Sequence, residues 1–264
     1  MECERLGYDS VWVYDHLSPF WITSGYTLEC WTLLSAIAAR TKQIRIGSLV
    51  TNVNLRNPAL LAKMTSTLDN ISKGRLILGL GIGDKLSRNE LHSYGYRFAP
   101  LSERIDRLRE TIQILKALWT QEETSFNGKH FQISRARNYP KPVQNPHPQI
   151  WIGGKHHMLQ DVIAETADGW NYWGLKRSDL IEREDYLQSK CIERNREFGN
   201  IVRSWTGTAP IDSKAKTQAE LVDRVREGLL AQTDGRTDYF IASFPEEADS
   251  RVFQTFADAV SSIV

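Results

Sequence analysis

The sequence is poor in cysteine, in long apolar runs and in net charge, and each shortage removes a class of function. Cys3, Cys30 and Cys191 are scattered and odd in number. They form no CxxC pair, so neither a disulfide framework nor a thiolate metal site is expected, and a reducing, cytoplasmic compartment is. No apolar run approaches the roughly 20 residues that span a bilayer, and Glu2 and Glu4 stand where a secretory signal needs apolar residues. No membrane partner is expected. With 33 basic and 32 acidic side chains the formal net charge is +1, which leaves no electrostatic footprint for nucleic acid. His156-His157 lack a third ligand at a supporting spacing, so no metal is expected either. Linkers, close repeats and long like-charge blocks are also missing, and residues 1–264 are expected to form one domain.

What is present is an alternation of short apolar strands with amphipathic helices. Asp9–His16, Ile44–Thr51, Leu76–Gly83, Gln149–Gly154, Gly169–Gly174, Ser204–Ile211 and Thr237–Phe244 read as strands, the first three at the spacing of βαβ units. Asn57 caps a helix with Pro58 at its first position, ending near Lys73-Gly74. Thr217 and Glu220 form a capping box. Ile105, Leu108, Ile112, Leu115 and Trp119 give one buried face to a helix starting near Ser102. Between about residues 120 and 148 an insertion is expected, with a hairpin turn at Asn127-Gly128 and then Pro140, Pro142, Pro146 and Pro148 stiffening an extended crossing over the strand ends. Seven strands are one short of a closed eight-stranded barrel. The first strand is the missing one, because MECERLG reads as the last turn of a helix leading into Asp9; either a strand is coded upstream of Met1 or the fold is truncated.

The stretch GRLILGLGIGDK, Gly74–Lys85, carries the most information. Leu76, Ile77 and Leu78 show no polar alternation, as in a parallel strand covered on both faces, and Gly79, Gly81 and Gly83 then omit the Cβ atoms that would hold a flat ligand off the backbone. Carboxyl ends of parallel strands are where such folds place chemistry. A glycine-rich strand exit with packing duties alone fits the same residues. Two phosphate codes are excluded: Gly83 is followed by Asp84 and Lys85 by Leu86, matching neither a dinucleotide fingerprint nor a P-loop. Asp15-His16 at another strand exit is a suitable acid/base pair, since an imidazole can take a hydroxyl proton near neutrality.

LGYDSVWVYDHLSPFW, the run from TKQIRIGSLVTNVNL to GIGDK, the helix before SFNGKHFQI, and PKPVQNPHPQIWIGG followed by ETADGWN together resemble the bacterial luciferase-like superfamily. DHLSP and GDK look most like its branch that uses the deazaflavin coenzyme F420. The resemblance implies an α/β fold, a TIM-type (β/α)8 barrel with the first strand missing from this chain, and an oxidoreductase moving hydride between coenzyme F420 and a small organic substrate of alcohol, sugar or methylene-tetrahydropterin type. It implies His16 and Asp84 as catalytic groups. Asp15, Ser48, Leu49, Val50, Gly81, Ile82 and Gly83 would face the cofactor ring, with a bend at Leu49-Val50 that relatives often make by a non-prolyl cis peptide, and Gly153 and Gly154 would receive its phosphate. Phe20, Trp21, Trp173 and Lys176 would line the substrate pocket, although Trp173 replaces a small hydroxyl residue beside the phosphate-binding lysine, which argues against glucose 6-phosphate. A homodimer is implied. The alternatives are a flavin mononucleotide (FMN)-dependent monooxygenase or reductase of the same superfamily, and a cofactor-binding or partner-completing subunit without turnover.

Overall fold

The computed structural model describes residues 2–19, 25–211, 215, 217–244 and 248–263. In chain order these form α1 (Glu2–Arg5), β1 (Ser10–Val13), α2 (Cys30–Arg40), β2 (Arg45–Ser48), β3 (Thr51–Asn52), α3 (Pro58–Ser72), β4 (Leu76–Gly81), α4 (Ser87–Ser93) and α5 (Leu101–Thr120). There follow β5 (Thr124–Asn127), β6 (Gln132–Ala136), β7 (Gln149–Gly153), α6 (His157–Thr166), β8 (Gly169–Trp173), α7 (Arg177–Glu193), β9 (Val202–Thr208), α8 (Gln218–Thr233), β10 (Tyr239–Ser243) and α9 (Ser250–Ser261). Each expected strand is found. Among the described residues none precedes β1, and no helix is long and apolar enough to cross a membrane. The chain divides into two compact units, Val11–Ile152, and Met1–Ser10 together with Gly153–Val264.

In Val11–Ile152, β4 is buried along its whole length and pairs in parallel with β2 and β7, Ile46 opposite Leu76 and Leu78 opposite Ile150. The expected third strand is split. β2 and β3 both pair with β4 but flank a cis peptide at Leu49-Val50. A Cβ on Gly79 would stand 2.0 Å from the Ser48 carbonyl oxygen, so this glycine lets two strands approach each other, a packing duty rather than the ligand-facing one expected of it. The helix ends follow the sequence. Asn57 accepts from the Ala59 amide at the start of α3, and Lys73 closes it in the left-handed conformation at φ 58°.

The insertion differs from expectation in two ways. Its hairpin turn is the four-residue loop Gly128–Phe131, since Asn127 pairs with Gln132; the Glu110 carboxylate on α5 accepts from the amides of Lys129, His130 and Phe131 and draws the longer loop closed. The proline-rich crossing does not cover the carboxyl strand ends. The buried Asp69 of α3 accepts from the amides of Val143 and Gln144 and from the Gln144 side chain, which also donates to the carbonyl of Leu76, the first residue of β4. That is the amino end of the strand. Lys141 meanwhile donates to the Leu118 carbonyl at the end of α5.

In the other unit β8, β9 and β10 run parallel, Gly169 opposite Val202 and Tyr239 opposite Ser204. Tyr8, ahead of β1, stacks on Phe256 and donates to the Phe253 carbonyl, so the first residues lie against α9. Thr217 caps α8 as expected, its hydroxyl accepting from the Glu220 amide.

Candidate functional site

The chemically richest cluster lies where β1, β3 and β4 end in Val11–Ile152. Asp15, two residues past β1, is 5% exposed and fully engaged. Its Oδ2 accepts from the Asn52 amide at 3.0 Å and from Arg56 Nη1 at 2.6 Å, and its Oδ1 from Arg56 Nη2 at 2.9 Å. Arg56 also donates to Glu29, which caps α2 through the Thr32 amide. Burial works to lower the Arg56 pKa, but the two carboxylates hold it above its ordinary value. Asp15 therefore ties together the β1 exit and the loops around β3 and α2.

His16 points elsewhere. Its Nδ1 lies 2.8 Å from Oε2 of Glu90 on α4, while Oε1 of the same carboxylate accepts from the amides of Leu17 at 2.5 Å and Ser18 at 3.0 Å. Tyr94 just beyond α4 donates to the Leu17 carbonyl, so two side chains from one helical turn grip the segment after His16. Glu90 is the partner of His16 that the sequence reading did not single out. Its only signal was an acid on the helix that follows the glycine-rich exit, 74 residues from its partner.

Asp84 spends Oδ1 on the Ser87 amide and hydroxyl, both at 2.9 Å, an arrangement that starts α4. Ser48 is buried and donates to the Gly79 carbonyl. Thr51 Oγ1, beside the Leu49-Val50 bend, is buried with no hydrogen-bond partner among the described residues. Past Gly81, the last residue of β4, the carbonyls of Ile82 and Gly83 are taken by Arg104, whose guanidinium lies 4.2 Å from the Phe98 ring centre. Burial pushes the Arg104 pKa down, with Asp84 opposing. Gly83 has φ 68°, and a Cβ there would meet Asn52 Nδ2 at 2.9 Å. The side chain excluded at Gly83 would strike protein first.

The remaining expected residues lie in the second unit or outside the described residues. Gly153 ends β7, and Gly154 follows with φ 136°, its carbonyl accepting from the Trp170 indole. Trp173, 44% exposed, ends β8 under the Lys155 ammonium, 4.6 Å from its ring centre. Lys176 precedes α7 on the exposed surface. His156 accepts from the Met158 amide to cap α6 and stacks on His157. Phe20 and Trp21 lie outside the described residues.

The chain is 36% identical over 96% of its length to an F420-dependent glucose-6-phosphate dehydrogenase of Amycolatopsis mediterranei, covering 82% of that relative. It spans about half the length of further relatives of the same name. Among solved structures, an F420-dependent secondary alcohol dehydrogenase in complex with an F420-acetone adduct superposes with a TM-score of 0.85 over 100% of this chain and 92% of the other, at 17% identity. The oxygenating constituent of 3,6-diketocamphane monooxygenase of Pseudomonas putida, in complex with FMN, superposes with a TM-score of 0.77 over 100% of this chain and 90% of the other, also at 17% identity. These likenesses establish the fold class expected from the sequence, the luciferase-like α/β barrel type. The model of the luciferase-like monooxygenase family matches residues 2–256, and the chain belongs to that family.

Proposed function

We propose that this chain is an oxidoreductase that moves hydride between coenzyme F420 and a small hydroxyl-bearing organic substrate, with His16 handling the accompanying proton. The observation that carries this reading is the His16–Glu90 pair at a strand exit, a base held by an orienting carboxylate. The bound deazaflavin supplies a ring carbon suited to two-electron transfer and poorly suited to activating oxygen. Thr51 supports the fit: its buried, unpartnered hydroxyl beside the Leu49-Val50 bend can serve a polar ring edge. In this proposal Ser48, Leu49, Val50, Gly81, Ile82 and Gly83 form the ring's seat, and Asp15 holds that seat in shape through Asn52 and Arg56. Gly153 and Gly154 are kept in this proposal as backbone neighbours of a phosphate, although the Gly154 amide already donates to the Asn171 carbonyl. In the second unit, Trp173 and Lys176 are proposed to meet the substrate. His16 accepts the substrate hydroxyl proton as hydride departs; Asp84, whose bonds to Ser87 use Oδ1, stands as a second acid.

The substrate class is supported by the names of the relatives, a sugar-phosphate and a secondary-alcohol dehydrogenase. Exposed Trp173 under Lys155 suits a sugar ring's apolar face. A homodimer is part of the same proposal, with exposed Leu60 and Ile71 on α3 as apolar surface for it.

Fluorescence titration with coenzyme F420 and with FMN tests the cofactor, and single-turnover reduction of F420 by isopropanol, glucose and glucose 6-phosphate tests the substrate. Saturable F420 binding without FMN binding is expected. The second reading, an FMN enzyme, is favoured by the fold shared with the FMN-bound monooxygenase constituent, and tight FMN binding in place of F420 would establish it.

A further inference from the structure

We infer that Glu90 is the positioning residue that fixes the tautomer of His16, an assignment that rests on His16 being the proton-handling group. The chemistry of a carboxylate carries this inference. An ionised carboxylate can only accept hydrogen bonds. With Glu90 Oε2 2.8 Å from His16 Nδ1, the proton of the neutral imidazole sits on Nδ1 and the basic lone pair on Nε2. Oε1 accepts at the same time from the amides of Leu17 and Ser18, at 2.5 and 3.0 Å, so the carboxylate cannot turn away without stranding two backbone donors. The Glu90 side chain is 10% exposed and that of His16 21%, which limits competition from water. One acid thus sets both the place of the imidazole and which nitrogen takes the proton. Tyr94, four positions after Glu90, adds a bond to the Leu17 carbonyl.

Glu90→Gln separates orientation from anchoring. The amide oxygen of glutamine must stay on the Leu17 and Ser18 amides, because turning it round would set donors against donors. Its NH2 group then faces His16 Nδ1 and donates to it. The imidazole proton moves to Nε2, and the lone pair that would accept a substrate proton is lost while the backbone anchor remains. An equivalent carboxylate-to-amide exchange at a catalytic histidine lowers turnover by about 10⁴-fold with its geometry intact.

The first measurement is nitrogen NMR of histidine-labelled protein without cofactor. Wild type is expected to show His16 protonated at Nδ1 and Glu90→Gln at Nε2; wild type protonated at Nε2 would overturn the inference without need of any variant. The second is single-turnover F420 reduction with a substrate that wild type oxidises. Glu90→Gln is expected to slow this step roughly 10²–10⁴-fold, with F420 affinity and thermal midpoint close to wild type. Unchanged speed in Glu90→Gln while His16→Ala is slow would refute the role of Glu90 and leave His16 standing. Full speed in both variants would remove His16 itself from the chemistry.

Discussion

Asp15 illustrates how a side chain's neighbours decide between two roles. Both its oxygens are occupied, one by Arg56 and one by Arg56 with the Asn52 amide. Removing one member of a buried ion pair leaves the other charge without compensation, a cost of roughly 3–5 kcal/mol. Glu29 still pairs with Arg56, so Asp15→Asn is expected to lose about 3 kcal/mol in a urea unfolding titration. A variant as stable as wild type that binds F420 more weakly would instead make Asp15 a direct ring contact. Gly83→Ala meets a similar test: at φ 68° and with Asn52 Nδ2 2.9 Å from the added methyl, a loss of about 1–3 kcal/mol is expected before any ligand is added. Asp15 and His16 stood out in the sequence because they are adjacent titratable groups after an apolar run. Arg56, Glu90 and Arg104 did not, because the bonds that bring them to Asp15, His16 and Gly83 cross 41, 74 and 21 residues.

Elements were legible wherever their signals are local. The caps of α3 and the apolar face of α5 follow from spacing alone, and unbroken apolar residues announced β4 as a strand buried on both faces. The proline-rich crossing was harder. Proline stiffens a segment without saying what it lies on, and the anchor turned out to be an aspartate in the last turn of α3. Asp69→Ala would leave the amides of Val143 and Gln144 and the Gln144 side chain without their acceptor. Unmet buried donors cost about 1–3 kcal/mol each. We expect a total loss of about 3 kcal/mol, allowing for water reaching the loosened segment, together with new proteolytic cleavage between residues 139 and 147; a variant that resists protease as wild type does would show that the prolines alone hold the crossing.

At the scale of the molecule, alkaline stability should report on the core of the unit that contains β8. Tyr172 is buried and hydrogen-bonded to Thr237, and burial pushes its pKa up to about 12. The folded state therefore keeps a proton that the unfolded chain loses near 10. Its contribution is fully present below about pH 10 and is lost as pH rises through 12, at about 1.4 kcal/mol per pH unit. Unfolding titrations at pH 9, 10 and 11 should show little loss from this group over the first interval and approach that slope over the second in wild type, with a shallower fall in Tyr172→Phe; equal falls would mean that Tyr172 ionises in the folded protein as readily as in the unfolded chain.

One unit is contiguous in sequence, Val11–Ile152, and the other is not, since it joins Met1–Ser10 to Gly153–Val264. During synthesis the first has every residue it needs once position 152 has left the ribosome. Tyr8 has no such early partner. Its hydrogen bond to Phe253 closes a separation of 245 residues, and at 5–20 residues per second that is roughly 10–50 s of waiting. For that interval the Tyr8 side chain is without the Phe253 carbonyl and the Phe256 ring, and the discontinuous unit cannot close until α9 has been made.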